Sequence, residues 1–223
     1  EITYNTTSPT IINLLTYTQQ FTNSAWSNYQ QYANSVVITD ATTTAPDNTL
    51  TASKFASNNA TATFYSFYRS NSILANTDYV FSTYLKAGEL TQAYLTLYTT
   101  GYNNDVLYNL STGVITATNV RDPAVTMSGG IVSVGNGWYR CYYTFRKTSA
   151  DTGQYKYAFN GGSIAVGQGY YMWGAQLELG TTATDYQGIA GSNVLTNISA
   201  TKHTANNIYT SGEFDEVSYN STS

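Results

Sequence analysis

Charge is what this chain has least of. Only 10% of its 223 residues are Asp, Glu, Lys or Arg, against about a quarter in an average soluble domain. Cations gather nowhere beyond the pair Arg146-Lys147, and the formal net charge is -4. A nucleic-acid surface needs many cations on one face, so that class of partner is excluded. The single Cys141 rules out an internal disulfide and reads as a small core residue. A lone histidine, His203, excludes a histidine-rich metal site. No run approaches the roughly 18 apolar residues of a membrane span, so no membrane insertion is expected. The common helix formers Ala, Leu, Glu and Lys are sparse or scattered, which predicts almost no helix. An initiator Met and a basic-then-apolar leader are both missing. That suits a processed chain or an excised fragment and leaves location open.

What remains is rich in one kind of surface. Hydrophobic residues make up 42% of the chain, enough for a core, and Tyr alone occurs 22 times. Thr, Ser and Asn carry the polarity that charge does not, as in extracellular and virion surface proteins. Tyr and Thr favour strands. The stretch Gly135 to Lys147, GNGWYRCYYTFRK, shows the pattern most clearly. A Gly-Asn-Gly turn feeds an alternating run. Tyr139, Cys141, Tyr143 and Phe145 share one face, and Trp138, Arg140, Tyr142, Thr144 and Arg146 share the other.

Other segments repeat this logic. Leu14, Leu15 and Tyr17 open a first strand, with Phe21 and Trp26 as plugs over one end of a sandwich. Val36 to Ile38 is a second strand, and Pro46-Asp47-Asn48 is a turn. Residues 78–87 place Tyr79, Phe81, Thr83 and Leu85 on one face. Residues 92–100 turn Leu95 and Leu97 inward and Tyr94 and Tyr98 outward. Residues 105–108 and 113–117 form a hairpin, and 118–130 read as a loop around Gly129-Gly130. Residues 154–159 alternate Tyr155, Tyr157 and Phe159 against Lys156. Residues 169–179 put Tyr171, Trp173, Ala175, Leu177 and Leu179 on the core face, with Glu178 opposite. Short strands separated by turns predict an all-β, jelly-roll β-sandwich with extended terminal segments. The expected division is an arm over 1–12, the sandwich over 13–187 and a C-terminal extension over 188–223. In that extension Asn193–Ile198 and Ile208–Val217 are candidate late strands.

Six segments carry a resemblance: NLLTYTQQFTNSAWSN (13–28), TTTAPDNTLTASKF (42–55), YVFSTYLKAGE (79–89), YNLSTGVIT (108–116), VGNGWYRCYYTF (134–145) and YYMWGAQLELGTTATDY (170–186). In this order they resemble a jelly-roll domain of bacteriophage tail, fibre and other virion proteins, itself similar to carbohydrate-binding modules. The resemblance implies a display and recognition unit without a catalytic role, joined to trimeric or fibrous virion parts. Related jelly rolls that carry a structural calcium hold it near the paired chain ends. Asn13 and Asp185 are the weak matches here, although no second carboxylate stands beside them. No other cofactor is implied.

Sugar recognition needs flat rings flanked by neutral donors and acceptors. The outward faces offer Tyr94, Tyr98, Trp138, Arg140, Tyr142 and Lys156, which form one platform if their strands are neighbours in one sheet. The alternative is that these rings pack under loops or in a subunit interface. Glycoside hydrolysis needs two suitably placed carboxylates. Asp40, Asp47, Asp78, Asp105, Asp122, Asp151 and Glu178 supply no convincing pair, and no nucleophile elbow appears. The cluster Glu213, Asp215 and Glu216 reads as a solvated terminus before a cation site. The expected function is therefore that of a non-catalytic virion-surface domain, extracellular, that binds host glycan. Its expected partners are other virion proteins and its own copies in a homotrimer. The alternative is a purely structural virion subunit whose second sheet face and tails make those contacts.

Overall fold

The computed structural model describes residues 13–28, 35–60, 64–160 and 164–188. The arm (1–12), all but Gly188 of the extension (188–223), His203, the candidate late strands and the 213–216 cluster lie outside them. Among the described residues there are twelve strands: β1 Ser27–Asn28, β2 Val36–Thr43, β3 Ala52–Ser57, β4 Phe64–Ile73, β5 Thr77–Ala87, β6 Gln92–Thr99, β7 Tyr102–Asn109, β8 Val114–Asn119, β9 Val125–Gly135, β10 Trp138–Lys147, β11 Asp151–Asn160 and β12 Gly169–Leu179. They form two six-stranded sheets, ordered β1-β4-β11-β6-β7-β8 and β2-β3-β12-β5-β10-β9. Every pairing is antiparallel. The result is the two-sheet sandwich expected, with a jelly-roll-like topology.

The core between the sheets follows the alternation read from the sequence. Tyr79, Phe81 and Leu85 of β5 face Leu95 and Leu97 of β6 and Tyr155, Tyr157 and Phe159 of β11 across one apolar layer. Cys141, Tyr143 and Phe145 of β10 complete it. Burial pushes the Cys141 thiol well above its usual range, so it stays an unreactive core group. Trp26 stacks on Phe67 with centroids 5.4 Å apart and donates its indole N–H to the Tyr17 carbonyl at 3.0 Å, closing one end.

Three expectations fail locally. Residues 14–17 are not a strand, because Tyr17 sits at φ 55 and breaks the extended run. The segment hangs on the edge of β12 instead, through Leu14 N–H to Leu177 O at 2.7 Å and Ala175 N–H to Thr18 O at 3.1 Å. Residues 125–130 are not loop but the start of β9. The glycines there clear space for rings and methyls: a Cβ on Gly130 would lie 2.0 Å from the Tyr142 ring, and one on Gly129 would lie 2.5 Å from Val106. The third failure is in β12, where a bulge between Trp173 and Gln176 sets two residues against Thr83. Gly174 supplies its φ of +65. The bulge switches the strand's phase. Tyr170 and Met172 face the core before it and Ala175 and Leu177 after it, so Trp173 points outward, on the same side as Glu178.

One end of the sandwich is tied by charge. Lys147 Nζ lies 2.7 Å from Asp122 and 3.7 Å from Asp151, with all three side chains nearly buried. Asp122 also accepts from Thr99 Oγ1 at 2.7 Å and from Ala124 N–H at 2.9 Å. Burial pushes the Asp122 carboxyl up, but the bonds from Lys147, Thr99 and Ala124 outweigh it and hold it below its usual value. Asp151 is lowered in the same way, with Thr100 and Thr152 as its hydrogen-bond donors. A carboxyl with a depressed folded pKa contributes stability that is present above its unfolded pKa and lost as pH falls through the folded value. Removing the cation strands two buried carboxylates. Lys147→Met is expected to lower stability by about 3 kcal/mol at neutral pH and to flatten the loss of stability below about pH 4, both read by urea denaturation across a pH series.

Candidate functional site

The six outward residues proposed from the sequence do not form one platform. Trp138, Arg140 and Tyr142 belong to β10 in one sheet, and Tyr94, Tyr98 and Lys156 belong to β6 and β11 in the other. Both sets point away from the shared core, so they lie on opposite outer faces of the sandwich.

The β10 set is consumed by the fold. Trp138 is 1% exposed and joins Trp173, Ala45 and Ala52 in a second, smaller apolar cluster. Its indole N–H donates to Thr44 O at 3.1 Å, and that of Trp173 donates to Thr51 Oγ1 at 2.9 Å. The turn between β2 and β3 thus roofs both rings. Tyr186 closes the cluster from the C-terminal strap, 4.4 Å from Trp173 between centroids. Arg140 lies over the Tyr84 ring at 5.6 Å and donates to Ser82 Oγ at 3.2 Å and to the Thr184 carbonyl. The Tyr142 ring lies across Gly130 on the neighbouring strand. An outward-facing aromatic strand here makes an outer mini-core rather than a ligand surface.

The β6 set is arranged differently. Ala93, Leu95 and Leu97 take the inner face of β6, so Tyr94, Thr96 and Tyr98 take the outer one. Residues directly paired across strands share a face. The register therefore aligns Ala158, Tyr94 and Leu107 in one row, Lys156, Thr96 and Asp105 in the next, and Gln154, Tyr98 and Asn103 in a third. Tyr94 and Tyr98 stand roughly 13 Å apart along the strand. Beside them a groove of about 480 Å³ is lined by Tyr94, Tyr102, Asn103, Asp105, Asn119 and Arg121, among others. That volume is in the range of small-ligand sites. A smaller depression of about 180 Å³ by Asp78 and Arg146, on the other sheet, has the core residue Phe145 as the one ring in its lining.

The groove's polar groups are held from behind. Asn104 Nδ2 donates to Leu97 O at 3.1 Å, and its Oδ1 accepts from the backbone N–H of Arg121 at 2.9 Å and of Asp122 at 3.0 Å. This fixes the chain leaving β8. Arg121 Nη1 donates to Asn103 O at 2.6 Å and to Asp105, which also accepts from Thr96 Oγ1 at 2.8 Å. Lys156 is 2% exposed. Its Nζ lies 4.3 Å from the Tyr98 ring centroid and 3.4 Å from Asn103 Oδ1. Burial lowers its pKa to about 8, with Asp105 opposing the shift. Burial and the Asp105 charge raise the Tyr94 hydroxyl's pKa.

Tyr102, Asn103, Asn119 and Arg121 were not proposed from the sequence. The signal was Gly101, at φ +86. Thr99 pairs with Tyr102 across the two-residue turn Thr100-Gly101, and such a turn fixes the register of the whole hairpin.

The candidate carboxylates are engaged locally. Asp40 accepts from Thr22 and Ser53, Asp47 from Thr49, Asp78 from Arg146, and Glu178 from Thr184. Of the two weak calcium candidates, Asn13 and Asp185, the first is engaged in the fold. Asn13 Nδ2 donates to Ala175 O and Gln187 O, and its Oδ1 accepts from the N–H of Leu15 and Leu177. That side chain clamps the two chain ends together and has no oxygen to spare for an ion. Among the described residues no group of three His, Cys, Asp or Glu gathers.

No family model matches the chain, and no curated protein does. Among solved structures it is distantly and partly similar to TmCBM61, solved in complex with β-1,4-galactotriose. The identity is 16% and the TM-score 0.27, over 66% of this chain and 98% of that one. Likeness at this level carries no functional argument.

Two outcomes follow from these placements. Trp138→Ala is expected to cost about 3–5 kcal/mol in denaturant unfolding, the penalty of emptying a packed aromatic site. The Lys156 ammonium is expected to titrate near pH 8 by ¹⁵N-detected NMR. Between about pH 8 and 10.5 the unfolded chain keeps the Lys156 proton that the folded chain has released. Stability therefore rises with pH across that window, and Lys156→Met removes the rise.

Proposed function

We propose that this domain is a non-catalytic glycan-binding module whose site is the outer face of β6, β7 and β11. The observation that carries the reading is Tyr94 and Tyr98 on one face of one strand, beside a groove whose Arg121 and Asp105 are fixed by neighbouring hydrogen bonds. Rings supply the flat apolar area that a pyranose face needs, at low entropic cost. Asn103, Asn119 and Arg121 supply donors and acceptors for hydroxyls. Asp105 is the carboxylate in the groove lining, and its bonds to Arg121 and Thr96 suit it to shaping the groove rather than to proton transfer. The ordered sequence motifs support a virion-surface setting, in which such a module attaches a particle to polysaccharide on a host cell. A homotrimeric arrangement belongs to the same reading.

A second reading, a structural virion subunit, draws on one feature. Val114, Val120, Val132 and Val134 are exposed on or beside β8 and β9, the last strands of the two sheets. Apolar side chains grouped there suit contact with a neighbouring copy.

The test is a polysaccharide array probed with the folded protein. Tyr94→Ala and Tyr98→Ala are each expected to weaken binding by about tenfold to a hundredfold, the loss of one buried ring's contact. Val166→Ser, at an exposed position away from the groove, is expected to bind as wild type. Binding unchanged by both Tyr substitutions would move the site elsewhere.

A further inference from the structure

We infer that the groove takes an acidic glycan, with the carboxylate of a uronate-type sugar docked on Arg121 while its ring lies against Tyr94; this rests on the glycan-module reading above. The Arg121 side chain is 52% exposed and lines the groove. One of its nitrogens, Nη1, is spent on Asn103 O and Asp105. A guanidinium carries five N–H donors in a planar fork, and those on Nε and Nη2 meet no partner among the described residues. The fork is held at both ends, by Asn104 at its backbone and by Asp105 at Nη1. Little conformational entropy then remains to be lost when an anion arrives. Paired N–H donors in one plane match the two oxygens of a carboxylate better than the single hydroxyls of a neutral sugar.

The local field points the same way. Arg121 and Lys156 bring two cations to one Asp105, although the chain as a whole carries a net charge of -4. Lys156 is too buried to touch a ligand, so its ammonium acts through the field beneath Tyr98. The Asn103 Nδ2 and the Asn119 amide, on the adjacent strands β7 and β8, remain to meet hydroxyls.

The experiment uses the full chain and three acidic polymers, polygalacturonate, polymannuronate and hyaluronan, each beside its own carboxyl-reduced form. Wild type, Arg121→Gln and Arg121→Lys are compared by affinity electrophoresis, with thermal melts to show that each variant is folded. At least one native polymer is expected to bind, and its reduced form at least about tenfold more weakly, as for loss of a charged hydrogen bond. Arg121→Gln should lose the same factor on the native polymer and nothing on the reduced one. Arg121→Lys should fall between, and added salt should weaken only the native polymer's binding. Equal binding of native and reduced forms overturns the acidic assignment and leaves the glycan module standing. Native binding by Arg121→Gln equal to that of wild type removes Arg121 from the site and overturns the assignment too. If folded wild type binds none of these polymers, acidic or reduced, and no neutral polysaccharide on the array, both readings fall.

Discussion

An extra residue in β12 organises much of this sandwich. Upstream of the bulge the strand pairs with β3, and downstream that pairing ends. The edge left open is met by residues 13–18, through two backbone bonds and the Asn13 side chain. The bulge's own loose group is also satisfied: Trp173 O accepts from Thr83 Oγ1 at 3.0 Å, and Thr83 in turn accepts from Tyr157 OH at 2.8 Å. A hydroxyl chain thus runs from the bulge across the core to the opposite sheet. Gly174 at positive φ supplies the backbone turn by which the phase switches. In the unswitched phase Trp173 would point into a core that already holds Tyr157 and Phe81.

The same bulge decides which outer face is roofed over. By sending Trp173 outward it gives Trp138 a partner, and two indoles side by side demand a roof. The β2–β3 turn and the strap at Tyr186 provide it, and the indole N–H bonds to Thr44 O and Thr51 Oγ1 of the turn pin the roof down. The outer face at β10 is therefore a second core layer. On the other sheet the outer residues of β6 and β7 have no indole to cover. Rings and amides there stand beside a groove, so one outer face of the sandwich is roofed and the other is not.

Most of the fold was legible because period-two alternation survives in β5, β6, β10 and β11, the four strands that meet across the core. Reading failed where a local feature broke the period. Tyr17 at positive φ ended a run that looked extended. Gly129 and Gly130 looked like loop punctuation, yet they sit inside a strand because the Tyr142 ring and the Val106 methyls need their space. Nothing in GYYMWGAQLEL announces that its phase reverses at Gly174. The site was half legible for a related reason. Outward Tyr94, Tyr98 and Lys156 follow from alternation alone, whereas joining them to Trp138 required knowing which strands are neighbours. That knowledge is long-range, because β11 inserts between β4 and β6. Arg121 was beyond reach of any periodicity, since it lies past the end of β8 and is placed by Asn104.

In a chain with so few charges, where each one is spent carries weight. Two clusters absorb most of the buried ones, and they are built on opposite principles. Lys147 sits between Asp122 and Asp151, cation inside and anions outside, with backbone and hydroxyl donors saturating the carboxylates. That arrangement closes on itself and leaves nothing to recruit. The second cluster has its anion at the centre: Asp105 pins Arg121 on one side and opposes the desolvation of Lys156 on the other. With one carboxylate between two cations, the excess is positive and lies toward the groove rather than the core. On β7 and β8 the neutral amides Asn103 and Asn119 stand in the lining, one of them beside Lys156, and neither offsets that excess.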